Sequence, residues 1–477
     1  MNFGKNIFLI IILFLLSFLI YSAYKIYYLP DNISNKFYVY CFILSLIGSV
    51  FFIYGFKFKK STQENLSLIL LSAIFTVYFI EVIFHFQKVY LTTHNYNKSI
   101  NDIRKSKAKK LNIFYDSRTK SAVISDLKKQ GINVIPKFYP IQLLKDKKTL
   151  SGIGLNDPKI FPLGDVSNKT VVEDNENGYW MKFQTDKYGF HNEKIRYEKK
   201  SIDIIIIGDS FAEGSSVRSE KNIASLIETK GFNVLNFGKA GHGPLLEYAI
   251  FLEYVKKFKP KKLLWLYHVN DIYNLIDEKK SPLLFKYLNE ENFSQNLISK
   301  QDKINEAIFN YTSKQKKLFE EKNDKPELEY KFLSHFKNIL LLRNIRSKFG
   351  LEGLNKGIVD PSDLKSFENI LNKVNKTLKS WDGELYFVYL PRHSSHYNLG
   401  KLRFLSLKKR HEHREQVLKV VKKLDITIID LVTELFAKHP DPLSLFPFRM
   451  FGHYNAKGYE LVTDEILKNL KNIEYDK

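Results

Sequence analysis

The sequence predicts an α/β protein with a parallel, doubly wound sheet, carried behind three membrane-spanning helices. Two observations predict it. Three long apolar runs fill the first ninety residues, and from residue 203 short apolar, often β-branched runs alternate with helical segments. The second pattern is that of strands buried on both faces, joined by helical crossovers. Composition agrees. Of 477 residues, 44% are hydrophobic and 14% aromatic, which excludes a disordered chain. Mean hydropathy is −0.25, so the apolar content is concentrated rather than spread through a chain buried mostly in lipid. The single cysteine, Cys41, excludes an intrachain disulfide and a cysteine zinc site. The net charge of +23 comes from lysines scattered along the chain, in company with abundant Asn, Ile, Phe and Tyr. Compositional bias explains it better than a nucleic-acid surface, and no nucleic-acid partner is expected.

The apolar runs come first. Ile7 to Tyr24 and Phe37 to Phe56 carry no charge, and Leu66 to Phe86 carries one acid, Glu81. About 20 residues at about 1.5 Å each span a bilayer core of roughly 30 Å. Residues 1–90 are therefore expected to be a membrane anchor, with the lipid bilayer as partner of residues 7–86. Lys57, Lys59 and Lys60 crowd the second loop, which places that loop in the cytoplasm. Three spans then put the rest of the chain outside, on the periplasmic face of a bacterial inner membrane. The basic stretch from Lys98 to Lys110 argues the other way, from more than ten residues beyond the span. Glu81 lies near the outer end of its span beside His85, and an interfacial position explains it.

Residues 91–200 read as a small α/β and hairpin linker region. Asn112 to Tyr115 and Ile132 to Phe138 are expected strands, around a helix from Ser121 to Gln130 stopped by Gly131. Val171 to Phe183 reads as a hairpin turned at Asn177-Gly178. Residues 201–477 form the main domain. Its expected strands are Ile204–Ile207, Phe232–Phe237, Lys262–Tyr267, Glu384–Leu390 and Ile426–Ile429, with helices at Asn222–Lys230 and Pro244–Phe258. Over 100 mostly polar, helical residues separate the third strand from the fourth, which implies a helical insertion at about 276–362. It is read equally as a lid, a partner surface or simple packing.

In doubly wound sheets the chemistry gathers at the carboxyl ends of strands. Gly208-Asp209-Ser210-Phe211 follows the first, so Ser210 stands between a strand end and a helix N-terminus, exposed and close to backbone N–H groups. Gly241 and His242 lie in the glycine-rich turn after the second, where a backbone N–H can face a developing oxyanion. The third ends in His268-Val269-Asn270-Asp271, and the Asn270 amide is a second candidate donor. Gly452-His453-Tyr454-Asn455 precedes the last helix, from which His453 can reach Ser210 as a base. Singly, each has a plain reading as a cap or a tight turn.

In the order Ser, Gly, Asn, His these residues resemble the SGNH hydrolases, or GDSL-type esterases and lipases. The resemblance covers about Ser201 to Leu470, interrupted by the insertion. The stretch Thr185-Asp186-Lys187-Tyr188-Gly189-Phe190-His191-Asn192 is similar to the segment that precedes the nucleophile in many such proteins. The resemblance implies a three-layer α/β/α, flavodoxin-like fold and chemistry on acyl esters without cofactor or metal. It implies Ser210 as nucleophile, His453 as general base, and Gly241 and Asn270 in the oxyanion hole. It also implies a serine esterase or O-acyltransferase whose first substrates to test are acyl groups on envelope glycans. The alternative is a catalytically silent domain that binds glycan or assembles an envelope complex. The sequence departs from the family in three places. Phe211 replaces the usual leucine. His268-Val269 stand where two glycines are common. Met450 stands where an aspartate would orient the histidine. A backbone carbonyl orienting His453, Asp441 reaching in, and a slow enzyme without a third member all remain open. Arg392, His393 and His396 follow the fourth strand near the expected cleft. Arg392 is a candidate for an anionic substrate group, against a plainer reading as solvated loop.

Overall fold

The computed structural model describes residues 3–28, 33–95, 100–154, 159–323, 336–348, 359–393 and 404–470. The chain divides into two compact units. One holds residues 1–97 and 326–356; the other holds 98–325 and 357–477.

The first unit is built on helices α1 (Phe3–Tyr28), α2 (Ile33–Gly55) and α3 (Lys60–Asn95). Each contains a stretch long and apolar enough to cross a membrane: Phe3–Tyr24, Tyr38–Gly55 and Lys60–Gln87. Phe8 packs edge-on against Phe52 at 5.1 Å, tying α1 to α2. Part of the insertion joins this unit. Glu81, buried on α3, accepts the N–H groups of Asn344 (2.9 Å) and Ile345 (2.7 Å) and the Asn344 amide (2.7 Å). The expected interfacial carboxylate is therefore the anchor for an arm of the insertion.

The second unit begins with α4 (Ile100–Lys110) and α5 (Lys120–Lys129). Strands β1 (Val134–Pro136), β2 (Thr170–Val172) and β3 (Lys182–Gln184) form a small sheet, with β1 parallel and β3 antiparallel to β2. The β2–β3 hairpin is present, but nine residues join its strands rather than a tight two-residue turn. Asn112 to Tyr115 is not a strand: among the described residues no ladder forms there, and Asp116 N–H makes one bond to Gly178 (2.7 Å). Nor is this region a linker. Its buried Lys137 pairs with Glu173 and, at 2.6 Å, with Glu213 of the main domain.

The main sheet comprises β4 (Ile204–Gly208), β5 (Val234–Asn236), β6 (Lys262–His268), β7 (Glu384–Leu390) and β8 (Thr427–Asp430). All pairs are parallel, in the order β5-β4-β6-β7-β8, as the flavodoxin-like expectation requires. The period of two divides the isoleucines of β4. Ile204 and Ile206 face one core, Ile205 and Ile207 the other, and all four are fully buried. Helices α6 (Ser210–Glu213) and α7 (Ile223–Glu228) follow β4. After β5 comes α8 (Pro244–Ile250), where the expected long helix widens into a π turn at Phe251–Val255. Within that turn Glu253 receives Tyr287 Oη (2.6 Å) and the Gln295 N–H (2.6 Å) from the start of the insertion. Then follow α9 (Asp271–Glu278), α10 (Pro282–Asn289), α11 (Gln301–Asn323), α12 (Arg343–Lys348), α13 (Pro361–Lys379), α14 (Phe404–Lys423) and α15 (Ala456–Asn469). Residues of α7 and α15 fill one core; residues of α8, α10, α13 and α14 fill the other. The result is three layers.

Candidate active site

Strand β4 delivers Ser210. Asp209 caps α6 by accepting the Phe211 N–H (2.9 Å), which fixes the turn that presents the hydroxyl. Asn455 caps α15 by accepting the Gly458 N–H (2.9 Å), and this places His453 two residues earlier. Ser210 Oγ and His453 Nε2 are 2.7 Å apart, a hydrogen bond of the kind through which an imidazole can activate a hydroxyl.

The third member comes from the β2–β3 hairpin. Glu176 Oε2 lies 3.1 Å from His453 Nδ1 and accepts the His453 N–H at 2.8 Å. Its other oxygen pairs with Arg104 of α4 at 3.2 Å, and both partners are largely buried. Ser216 Oγ, 3.0 Å from Glu176 and 3.2 Å from Asp174, completes the setting. Burial works against a charged His453, but the charge and hydrogen bond of Glu176, with Asp174 and Glu173 behind, raise its pKa to about 9. Burial likewise works against charged Glu176, yet His453 and then Arg104 hold it at about 2. Asp174, with only burial, Glu173 and Glu176 dominating, is pushed up to about 7.

Met450 explains the missing aspartate. It packs with Ala108 of α4 and Phe448 in a small apolar cluster. The face that would carry the acid is thus closed by α4, and the same helix brings Arg104 to Glu176. Asp441 is exposed and pairs with Arg449. Neither Asp441 nor a lone carbonyl is needed to orient the imidazole.

Gly241 and Asn270 lie in the turns that follow β5 and β6, the two strands that pair with β4. Gly241 has φ +81°, and a Cβ there would lie 2.8 Å from Ile141 Cγ2, so both conformation and space call for glycine. Asn270 donates its amide to Asp209 at 3.2 Å, one residue before Ser210, and its carbonyl oxygen contacts His268 Nδ1. Buried charges clamp this arrangement. Glu213, three residues after Ser210, binds Lys137, Lys239 (3.3 Å) and the Ala240 N–H (2.8 Å), fixing the Gly241 turn against α6. The Thr185–Asn192 stretch pins β5: Asn192 exchanges two hydrogen bonds with the Asn236 backbone, at 2.7 and 2.8 Å. His242 is fully buried away from the reacting pair's hydrogen bonds, and burial holds its pKa at about 3. His393 contacts the Arg449 carbonyl (3.2 Å), and His396 lies outside the described residues.

The donor atoms of Asp174, Glu176 and His453 lie within 4.8 Å of one another, close enough for a cation. The Arg104 guanidinium already supplies positive charge to Glu176, and His453 Nδ1 is engaged by the same carboxylate. The two contacts already engage Glu176 and the His453 Nδ1, so these residues read as an ion-paired carboxylate hydrogen-bonded to an imidazole.

Glu176 and Arg104 escaped the sequence reading. Glu176 sits 34 residues before Ser210, next to a turn signal, in a region that looks like a connector. Only the Asn177-Gly178 dipeptide beside it marked the place.

No family model and no curated protein matches the chain. Solved structures do. One described as belonging to the G-D-S-L lipolytic family, from Desulfitobacterium hafniense, is 14% identical, covering 57% of this chain and 100% of that one, with a TM-score of 0.30. A catalytic variant of Axe2, an acetylxylan esterase from Geobacillus stearothermophilus, is 12% identical, covering 57% and 95%, with a TM-score of 0.31. LAE5, an alpha/beta hydrolase from the metagenome of Lake Arreo, is 12% identical, covering 56% and 94%, also at 0.31. At such identities and scores these likenesses decide nothing about chemistry, which rests on the side chains of this chain.

Proposed function

We propose that the chain is a membrane-anchored serine esterase of the SGNH type, which transfers an acyl group from an ester to water or to another hydroxyl. The observation that carries this reading is the continuous line from Ser210 Oγ through His453 to Glu176, at 2.7 and 3.1 Å. Ser210 attacks the ester carbonyl as His453 Nε2 takes its proton. Glu176 holds the imidazole in register and offsets its charge. The Ser210 and Gly241 N–H groups and the Asn270 amide receive the oxyanion. His453 then protonates the leaving alcohol, and the acyl-serine passes its group to the acceptor by the reverse steps. Acyl groups on extracytoplasmic glycans remain the substrate class to test, on the outward orientation that the lysine distribution supports. A silent binding domain was favoured only by the absent aspartate, and Glu176 removes that ground.

The test is hydrolysis of 4-nitrophenyl acetate by the full chain in detergent. Ser210→Ala and His453→Ala should each lower kcat by at least about three orders of magnitude. Unchanged turnover in both would remove the reading.

A further inference from the structure

Part of the insertion meets α3 inside its apolar stretch. The apolar run of α3, Leu66 to Phe86, matches a bilayer core of roughly 30 Å. At about 1.5 Å per residue, Glu81 lies about 8 Å and Tyr78 about 12 Å along the helix from Phe86. Tyr78 Oη donates to the Leu340 carbonyl at 3.3 Å, and Glu81 takes the N–H groups of Asn344 and Ile345. Residues 340–345 are therefore held against α3 below the end of its apolar run.

Residues 336–340 and 343–348 are helical, and the chain turns between them at Leu341-Leu342, with Leu342 at φ +48°. The N–H groups of Leu341 and Leu342 bond the carbonyls of Lys337 (3.1 Å) and Ile339 (2.9 Å), and those of Asn344 and Ile345 bond Glu81. A turn persists at membrane depth only where its backbone finds such partners in the protein, because hydrocarbon offers none. The side chains that face outward are apolar. Phe336, Leu340 and Leu341 are 56%, 56% and 41% exposed, and α3 itself exposes Phe75, Phe79 and Ile83 in the same stretch. In water such surface is a liability; in lipid it is the expected finish. The exposed Lys337 and Arg343 bracket the apolar run Ile339 to Leu342 in the chain, and their long stems can carry the charges toward the headgroups.

We propose that residues 336–345 dip into the bilayer beside α3 and present Phe336, Leu340 and Leu341 to lipid acyl chains, with Glu81 as the buried acceptor that holds them there. The partner is the hydrocarbon of the leaflet around the Phe86 end of α3. This goes beyond the esterase reading and rests on α3 as a membrane span. In chain order the segment belongs to the insertion between β6 and β7. The domain that carries Ser210 therefore has a second attachment to the membrane, besides the link from α3 to α4.

The experiment uses the full chain in nanodiscs of phosphatidylethanolamine and phosphatidylglycerol. Cys41→Ser removes the single cysteine. Leu341→Cys, Phe79→Cys and Lys230→Cys are then made one at a time and carry a nitroxide, with Phe79 reporting α3 and the exposed Lys230 reporting water. Relaxation by oxygen is compared with relaxation by a polar nickel chelate. The oxygen-to-nickel ratio at Leu341 should match Phe79 and exceed Lys230 by at least about fivefold, since oxygen partitions into hydrocarbon and the chelate stays in water. Glu81→Ala removes the acceptor, so the Leu341 ratio should drop toward that of Lys230 while the Phe79 ratio holds. Glu81→Gln keeps an acceptor oxygen and should keep the Leu341 ratio high. A Leu341 ratio equal to that of Lys230, with Phe79 in lipid, overturns the inserted segment. An unchanged Leu341 ratio in Glu81→Ala overturns the role of Glu81. A Phe79 ratio equal to that of Lys230 overturns the span itself, and the proposal with it, while leaving the ester chemistry at Ser210 untouched.

Discussion

Replacing Glu176 by Gln keeps the shape of the side chain and removes its charge. The consequence follows from the geometry around His453. An imidazole of ordinary pKa near 6.5 stands at about 9 here, although burial opposes its charge. Each tenfold step in proton affinity is about 1.4 kcal/mol, so the surrounding carboxylates supply on the order of 3 kcal/mol beyond the burial cost. Glu176 is the largest of them, by charge and by hydrogen bond, ahead of Asp174 and Glu173. The sign is plain. The base works only when neutral, so kcat/KM of the wild type should climb with pH and level off above about 9. In Glu176→Gln the base loses its proton more readily, and the rise should move to lower pH by at least about one unit. The plateau should fall by about 100- to 10,000-fold, because the imidazolium formed during the reaction loses its partner. The two effects oppose each other near pH 7, so whole profiles of 4-nitrophenyl acetate hydrolysis are needed. A profile unmoved in both position and plateau would refute the role given to Glu176.

Other outcomes follow from the same contacts. Arg104→Ala leaves Glu176 without its cation, and the carboxylate should titrate at higher pH, with a fall in kcat of about tenfold as the read-out. Asn270→Ala should lower kcat by about 10- to 1,000-fold with little change in KM, since its donor acts on charge that develops in the transition state. Met450→Asp puts a carboxylate into the apolar cluster of Ala108 and Phe448. It should lower the melting temperature and fail to restore activity to Glu176→Ala, because that position faces α4. A reporter active only outside the cytoplasm, fused after Lys110, should be active; a well-expressed but silent fusion would reverse the orientation drawn from Lys57, Lys59 and Lys60.

Much of the framework was legible because it depends on local patterns. The β-branched run at Ile204–Ile207 announced a strand buried on both faces, and both cores divide its side chains between them. Ser210 and His453 were readable because turn residues bracket them and because their order along the chain resembles a family. The acid was not readable for a physical reason. Its position is set by tertiary packing: α4 closes the face at Met450, and the β2–β3 hairpin brings Glu176 to His453 from a distant stretch of sequence. Nothing local to Glu176 encodes that meeting. The tie between Glu81 and Asn344 escaped in the same way, because its partners are 263 residues apart. The expected strand at Asn112–Tyr115 has suitable side chains but no ladder partner among the described residues, which a pattern of propensity cannot reveal.

The central claim is that Ser210 is a nucleophile activated by His453. The most direct measurement is the intact mass of the full chain after exposure to a fluorophosphonate, with the modified peptide then sequenced. The account predicts one adduct per chain, on Ser210, absent in Ser210→Ala and slowed by at least about a hundredfold in His453→Ala. An adduct on another residue, or labelling of Ser210 at the same rate without His453, would contradict it.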